Sequence, residues 1–146
     1  MKQFLLYTGN EWLGLILRIT VGLVMLPHGG QKLLGWFGGY GYRGTMDFFI
    51  NAMKLPWIVS LLIIIIEFLG PIGLLTGFAS RIWAAALIAI MIGAIVTTNL
   101  KHGFFMNWFG NQAGEGYEYH LLVIGICLAI IFNGSGKFSI DGLLNH

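Results

Sequence analysis

The chain has 146 residues, of which 57% are hydrophobic and 10% are charged, and its formal net charge is +2. Soluble domains carry about 25% charged residues, so the composition excludes a soluble protein and predicts an integral membrane protein of about four spans. No basic run suited to nucleic acid occurs in the sequence. The single cysteine, Cys127, excludes an intrachain disulfide and a relay of paired protein thiols.

The first predicted span covers residues 11–34. Five of its residues recur at alternating steps of four and three and share one face, namely Arg18, Gly22, Met25, Gly29 and Lys32. His28 lies beside that face. An arginine inside a membrane must point towards the bundle interior or water. We therefore expect this face of the first span to point inward.

A loop rich in glycine and aromatic residues follows at 35–44, and its Trp36 suits the membrane interface. Residues 45–53 then form a short amphipathic pattern that is too short and too polar to span. We predict a short interfacial or re-entrant helix here, covering the mouth of the bundle.

Three further spans are predicted at 56–77, 81–100 and 117–133. The second carries Glu67 at its centre. The fourth begins with a polar turn that includes Glu118 and His120. The third carries small residues spaced by four, which predict tight helix packing and a scaffold role; they are Ala85, Ala89, Gly93 and Thr97. The expected fold is all-α, a single transmembrane domain (residues 1–146) built as a four-helix bundle with one short interfacial helix.

Glu67 requires a partner or a proton, because an unpaired carboxylate in hydrocarbon is expensive. It lies about ten residues into its span, or roughly 15 Å deep at a rise of 1.5 Å per residue. Arg18 approaches from the other end of the first span with a long side chain. We therefore expect a bidentate Arg18–Glu67 pair.

Antiparallel spans bring the remaining polar side chains to one level, beneath the two long loops. The sequence thus predicts a polar funnel with the Arg18–Glu67 pair at its bottom. The residues expected at its rim are His28, Lys32, Lys101, His102, Glu118 and His120.

Three chemical uses fit such a funnel. A quinone headgroup needs hydrogen-bond donors for its carbonyls, a proton route and aromatic rings to stack on. A haem or metal ligated by His28, His102 and His120 is the second candidate for a cofactor, disfavoured because no two of these histidines share a helix at useful spacing. The third use is a proton relay or cation site at Glu67 and Glu118.

Each of these residues also has a purely structural interpretation. The buried charges can form an ion pair that only holds helices together. Lysines near span ends can extend their ammonium groups to the interface. Glu118 at a helix start is favoured by the helix dipole without any catalytic role.

A set of residues spread over almost the whole chain has the order and spacing of a known family. These are Leu17 and Arg18, Gly22, His28 and Gly29, Lys32 and Leu33, the run 35–39, Gly44 and Thr45, Phe48, Glu67, Gly70, Gly73, and the runs 102–105, 116–120 and 134–141. In these residues the chain resembles the DoxX family, small bacterial membrane proteins with four spans. The resemblance implies the four-span fold, and members of that family are associated with quinone-linked and oxidative-stress systems.

The leading hypothesis is a bacterial inner-membrane protein that binds a quinone or related redox-active molecule, as part of a redox or oxidative-stress system and together with a partner subunit or a second copy of itself. Two alternatives stay open, a non-enzymatic membrane anchor for a partner protein and a small proton-coupled transporter. Lysine and arginine are divided almost evenly between the two sides, and we expect both termini in the cytoplasm. The candidate catalytic residues are Arg18, Glu67 and Glu118, and the candidate ligand-binding residues are His28, Lys32, His102, His120 and Trp36.

Overall fold

The computed structural model describes residues 11–145, and within them it contains helices and no strands. The all-α prediction is confirmed. The main helices are α1 (Trp12–Leu34), α2 (Gly41–Asp47), α3 (Trp57–Thr76), α4 (Ser80–Ala94), α5 (Glu118–Asn133) and α6 (Ile140–Leu144). A π-helical turn extends α2 over Phe48–Ala52, and α4 continues through a π-helical turn at Ile95–Asn99 and a 3₁₀ turn at Leu100–His102.

The four long helices pack in a ring, α1 on α3, α3 on α4, α4 on α5 and α5 back on α1. Three helical segments are long and apolar enough to cross a membrane, Trp12–Leu34, Trp57–Thr76 and Ser80–His102. The apolar α5 has 16 residues, or about 24 Å, which is shorter than a hydrocarbon core of about 30 Å. The chain is therefore a membrane protein with a helical bundle architecture.

Two apolar clusters stabilise the bundle. The larger one joins all four long helices, through residues such as Met25, Leu74, Leu87 and Cys127. The smaller cluster lies where α2 and its π-helical turn cover α3, and it contains Met46, Phe49 and Ile64. The short helix expected between the first two spans is thus present, although it begins at Gly41 rather than at Thr45.

Arg18 holds the end of the bundle that carries the α3–α4 turn and α6. Its side chain is 1% exposed, and its guanidinium donates to backbone carbonyls that helix ends and turns leave without partners. The acceptors are the carbonyl oxygens of Ser135 (2.9 Å), Leu74 (3.2 Å), Leu75 (2.7 Å), Lys137 (2.7 Å) and Phe138 (2.6 Å).

The expected Arg18–Glu67 pair is therefore wrong. A guanidinium carries five N–H donors in a fixed fork, and the end of α3 together with the chain after α5 offers five carbonyl oxygens around it. Glu67 finds another partner nearer the opposite end of α1.

Asp141 completes this closed end by capping α4. Its carboxylate accepts from the backbone N–H groups of Ala79 (2.7 Å) and Ser80 (3.0 Å) at the N-terminus of α4, and from the Ser135 hydroxyl (2.5 Å). A carboxylate at this position satisfies unpaired N–H groups and complements the helix dipole. The preceding turn depends on Gly77, whose φ is 68° and whose missing Cβ leaves room for Ser139.

The small-residue stripe on α4 does not pack against another helix of this chain, so that prediction is wrong for the described residues. Ala85, Ala89, Gly93 and Thr97 are all exposed. A Cβ added at Gly93 would have no atom within 4 Å. The helix instead buries a neighbouring face of larger residues, Leu87 and Met91 among them, because these fill the space between α3 and α5.

Candidate functional site

Glu67 pairs with Lys32. The Lys32 ammonium donates to Glu67 Oε2, with the lysine side chain 31% exposed and the glutamate side chain 5% exposed. The sequence placed both residues in the site but assigned Glu67 the wrong partner.

Gly29 brings the two charges together. A Cβ at this position would lie 2.7 Å from the Cα of Phe68 and would also collide with the backbone of Glu67. Only a glycine allows α1 and α3 to cross so closely here. Lys32 lies one helical turn beyond Gly29 and therefore reaches directly over the carboxylate.

The pair lies in the wall of a cavity of about 530 Å³ between α2, α3 and α4. Ligand pockets typically measure about 300–1,000 Å³ and are lined mainly by apolar side chains with a few polar groups. Among the described residues, Lys32 and Glu67 are the charged members of the lining. The remaining lining residues are Phe48, Phe49, Met53, Leu55, Val59, Leu62, Ile63, Ile66, Ala86, Ala89, Ile90, Gly93, Ala94, Thr97, Thr98 and Asn99.

The cavity arises because α3 and α4 are close at their connecting turn and separate beyond it. Near the turn, Gly70 and Gly73 allow the Trp83 ring to lie directly against α3. The cavity lining begins further along, at Ile66 and Glu67 on α3 and at Ala86 on α4. Lining residues on the outer surfaces of both helices are exposed, so the cavity opens sideways between them.

Two π-helical turns flank the cavity. Phe48 and Phe49 belong to the turn Phe48–Ala52, and the turn Ile95–Asn99 contributes three lining residues on the opposite side. Such turns are rare and frequently occur at functional sites.

His28, Tyr119 and His120 lie near the ion pair on its α5 side. The His28 and Tyr119 rings are 6.1 Å apart, and the Tyr119 hydroxyl lies 3.3 Å from the sulfur of Met25. His28 and His120 both interact electrostatically with Lys32 and Glu67. Within residues 11–145, the buried Nδ1 of His120 has no hydrogen-bond partner. These side chains form a polar continuation of the site towards α5.

The other candidate residues lie elsewhere. Glu118 holds the 103–117 loop, accepting from the backbone N–H of Met106 (2.9 Å) and from the Trp108 indole (3.0 Å). His102 lies beneath that loop, next to Gly114. Trp36 packs on Phe68 with ring centroids 6.1 Å apart, outside the cavity lining.

Along the described ranges, no group of three or more histidine, cysteine, aspartate or glutamate residues is arranged to hold a metal ion. The three histidines considered as ligands occupy α1, the end of the α4 segment and α5. The structure thus brings Lys32, Glu67, His28 and His120 together and leaves Arg18, Glu118, His102 and Trp36 apart from them.

Sequence reasoning missed the aromatic and small residues that line the cavity. The sequence pattern predicts only an interfacial helix at Phe48 and Phe49, and only helix packing for the α4 stripe. The Gly29 to Lys32 spacing was the available signal for the ion pair, because a glycine permits a close helix crossing and a lysine one turn later lies on the same face. The π-helical turns had no recognisable signal.

The comparisons with known proteins agree with this architecture. The chain is 32% identical over 127 residues to a protein of Bacillus subtilis (strain 168) named "Putative oxidoreductase CatD", covering 87% of this chain and 83% of CatD. It is 28% identical over 131 residues to the inner membrane protein YqjF of Escherichia coli (strain K12), covering 90% and 91% of the two chains. No solved structure matches the chain.

A family model named DoxX matches residues 13–100, which include α1 after Trp12, all of α2, α3 and α4, and every residue that lines the cavity. The family match therefore covers both residues of the ion pair, Lys32 and Glu67. The chain belongs to the DoxX family.

Proposed function

We propose that this DoxX-family protein binds a quinone or a related redox-active small molecule in the cavity between α2, α3 and α4. The observation that carries the proposal is the placement of one ion pair, between the partly exposed Lys32 and the buried Glu67, in the wall of an otherwise largely apolar cavity. A ring with carbonyl oxygens and an apolar body matches that combination.

The donors present fit a quinone headgroup. An ammonium carries three N–H donors, and within the described chain the Lys32 ammonium has Glu67 as its hydrogen-bonded partner. Its other donors are available for a ligand carbonyl. Phe48 and Phe49 supply apolar ring surfaces in the same lining.

Glu67 has two roles in this proposal. It holds the Lys32 ammonium at the cavity wall, and it offers a carboxylate next to the bound headgroup. A quinone accepts electrons and protons when it is reduced. Glu67 would exchange protons with the bound quinone. His28 and His120 would carry protons between Glu67 and the α5 side of the bundle. The electrons would come from a partner protein or a soluble reductant. The name "Putative oxidoreductase CatD" of the Bacillus subtilis relative supports a redox role.

The binding proposal is tested by titrating a short-tailed ubiquinone or menaquinone analogue into purified protein in lipid nanodiscs, with tryptophan fluorescence as the readout. We expect saturable binding, and we expect Lys32→Met and Glu67→Gln each to weaken it by about tenfold or more, as for a lost charge-assisted contact. Lys101→Met is the matched control, because Lys101 is exposed and does not line the cavity.

Absence of saturable binding, or binding that both site variants leave unchanged, would overturn the proposal. A stoichiometric partner protein that co-purifies with a variant lacking both charges would then support the membrane-anchor alternative.

The bacterial inner membrane is the proposed location, supported by the name of YqjF. Cytoplasmic termini stay a prediction, which reporter fusions at His146 would test.

A further inference from the structure

The cavity is larger than a headgroup site next to Lys32 and Glu67 requires. Its lining extends along α4 from Ala86 to Asn99, which is about 20 Å at a rise of 1.5 Å per residue. This length far exceeds the width of one ring. Away from the ion pair the cavity is lined by aliphatic and small residues of α3 and α4, and Thr97, Thr98 and Asn99 lie at its far end.

The exposed side of this groove is kept open by Gly93. A glycine in the middle of a helix makes that helix less stable than an alanine would. Here no close contact within the chain requires the glycine, because a Cβ at Gly93 would have no atom within 4 Å. Ala89 and Thr97, one turn to each side, are also short and also line the cavity. The α4 wall therefore leaves a channel along which a linear apolar chain fits.

We propose that this channel is a tail subsite, so that the protein takes its ligand from the bilayer as a lipid-soluble quinone with a long apolar tail. The inference rests on the proposed function. The headgroup would lie at Lys32 and Glu67, and the tail would lie between α3 and α4 along Ala89, Gly93 and Thr97. Continuity is the reason for assigning the channel to the ligand tail: one cavity contains both the charged pair and the channel.

The alternative source of an apolar chain is a membrane phospholipid, whose acyl chain would fill the same channel. A phospholipid tail would compete with a long-tailed quinone, whereas the ligand's own tail would add to its binding. The two sources therefore predict opposite effects of tail length.

The test compares quinone analogues with the same headgroup and either one isoprene unit or a long isoprenoid tail, titrated into nanodiscs. Dissociation constants are expressed as mole fractions in the lipid, so that partitioning of the tail into the bilayer does not enter the comparison. We expect the long-tailed analogue to bind about tenfold more tightly, through dispersion contacts along the channel.

Gly93→Leu would place a side chain in the channel. It should abolish the advantage of the long tail, so that the two analogues bind this variant with affinities within about twofold of each other, a difference below 0.5 kcal/mol. The matched control is Gly125→Leu, because a Cβ at Gly125 on α5 also has no atom within 4 Å and Gly125 does not line the cavity. This control should keep the tail advantage.

Equal affinities of the two analogues in the wild type, weaker binding of the long-tailed analogue, or a tail advantage that survives in Gly93→Leu would overturn the tail subsite while leaving the headgroup proposal intact. If neither analogue binds, the proposed function fails and the tail subsite fails with it.

Discussion

Lys32 and Glu67 differ in how well each could exist without the other. The Glu67 side chain is 5% exposed, whereas the Lys32 side chain is 31% exposed and carries its ammonium at the end of a flexible aliphatic chain. A lysine that loses its partner can turn towards water, but the buried carboxylate cannot. Removing a partner from a buried pair is strongly destabilising because it leaves an uncompensated charge.

We therefore predict an asymmetric pair of single variants. Lys32→Met should lower the free energy of unfolding by roughly 2–4 kcal/mol, and Glu67→Gln by about 1 kcal/mol. The double variant should lose less than the sum, since no lone charge is left. Chemical unfolding in detergent measures all three. Additive losses would show that the two residues do not stabilise each other.

Arg18 is the second residue whose chemistry determines a prediction. Its planar guanidinium reaches five carbonyl oxygens at once, whereas an ammonium is a single point with three donors. Arg18→Lys should leave several buried carbonyls unpaired and lower the free energy of unfolding by about 3 kcal/mol or more. Arg43→Lys, at an exposed position of α2, is the control and should change the free energy of unfolding little. Equal stability of Arg18→Lys and the wild type would contradict this role for the guanidinium.

At the scale of elements, the α1–α3 crossing depends on one glycine. Gly29→Ala would place a Cβ against the backbone of Glu67 and Phe68, which cannot move as a side-chain end can. We predict that the helices separate, so that stability falls by about 1–3 kcal/mol, the range for overpacking, and quinone binding weakens as Lys32 is displaced. Gly125→Ala should be neutral or stabilising by up to about 1 kcal/mol, because alanine is the better helix former. Retained stability and binding in Gly29→Ala would show that the crossing tolerates a side chain.

The helical elements were largely predictable from the sequence, and their partnerships were not. The apolar run predicts a span at 56–77, and the structure has α3 at Trp57–Thr76. The two agree because helix length and hydropathy are local properties of the sequence. The Arg18 partners were not predictable, since residues 135–138 return to Arg18 only through the folded chain after α5. The prediction that the α4 stripe packs against another helix was wrong for a related reason. Small residues permit close packing, but they leave the same space open when no helix approaches.

The whole molecule divides into a closed end and an open end. Arg18 and Asp141 tie α1, the α3–α4 turn and the chain after α5 together at one end. Towards the other end α3 and α4 diverge, and the cavity with Lys32 and Glu67 occupies the space between them. Stabilising groups at one end allow the other end to keep an open, less tightly packed site.

This division predicts that stability and ligand binding can be changed separately. Labelling of Cys127 offers a readout of unfolding. It is the only cysteine of the chain, it is fully buried in the larger apolar cluster, and maleimide would reach it only after unfolding. Asp141→Asn removes a charge from the α4 N-terminus and should lower the free energy of unfolding by about 1–2 kcal/mol. Maleimide labelling of Cys127 should then be about five- to thirtyfold faster, if labelling follows the unfolded population.

Under conditions where Asp141→Asn remains folded, its affinity for a short-tailed quinone should equal that of the wild type, because Asp141 lies at the end away from the ion pair. Asp47→Asn on the surface of α2 is the control for a lost carboxylate and should leave Cys127 labelling unchanged. Weaker quinone binding in folded Asp141→Asn would mean that the two ends are coupled. In that case the closed end would position the site as well as stabilise the bundle.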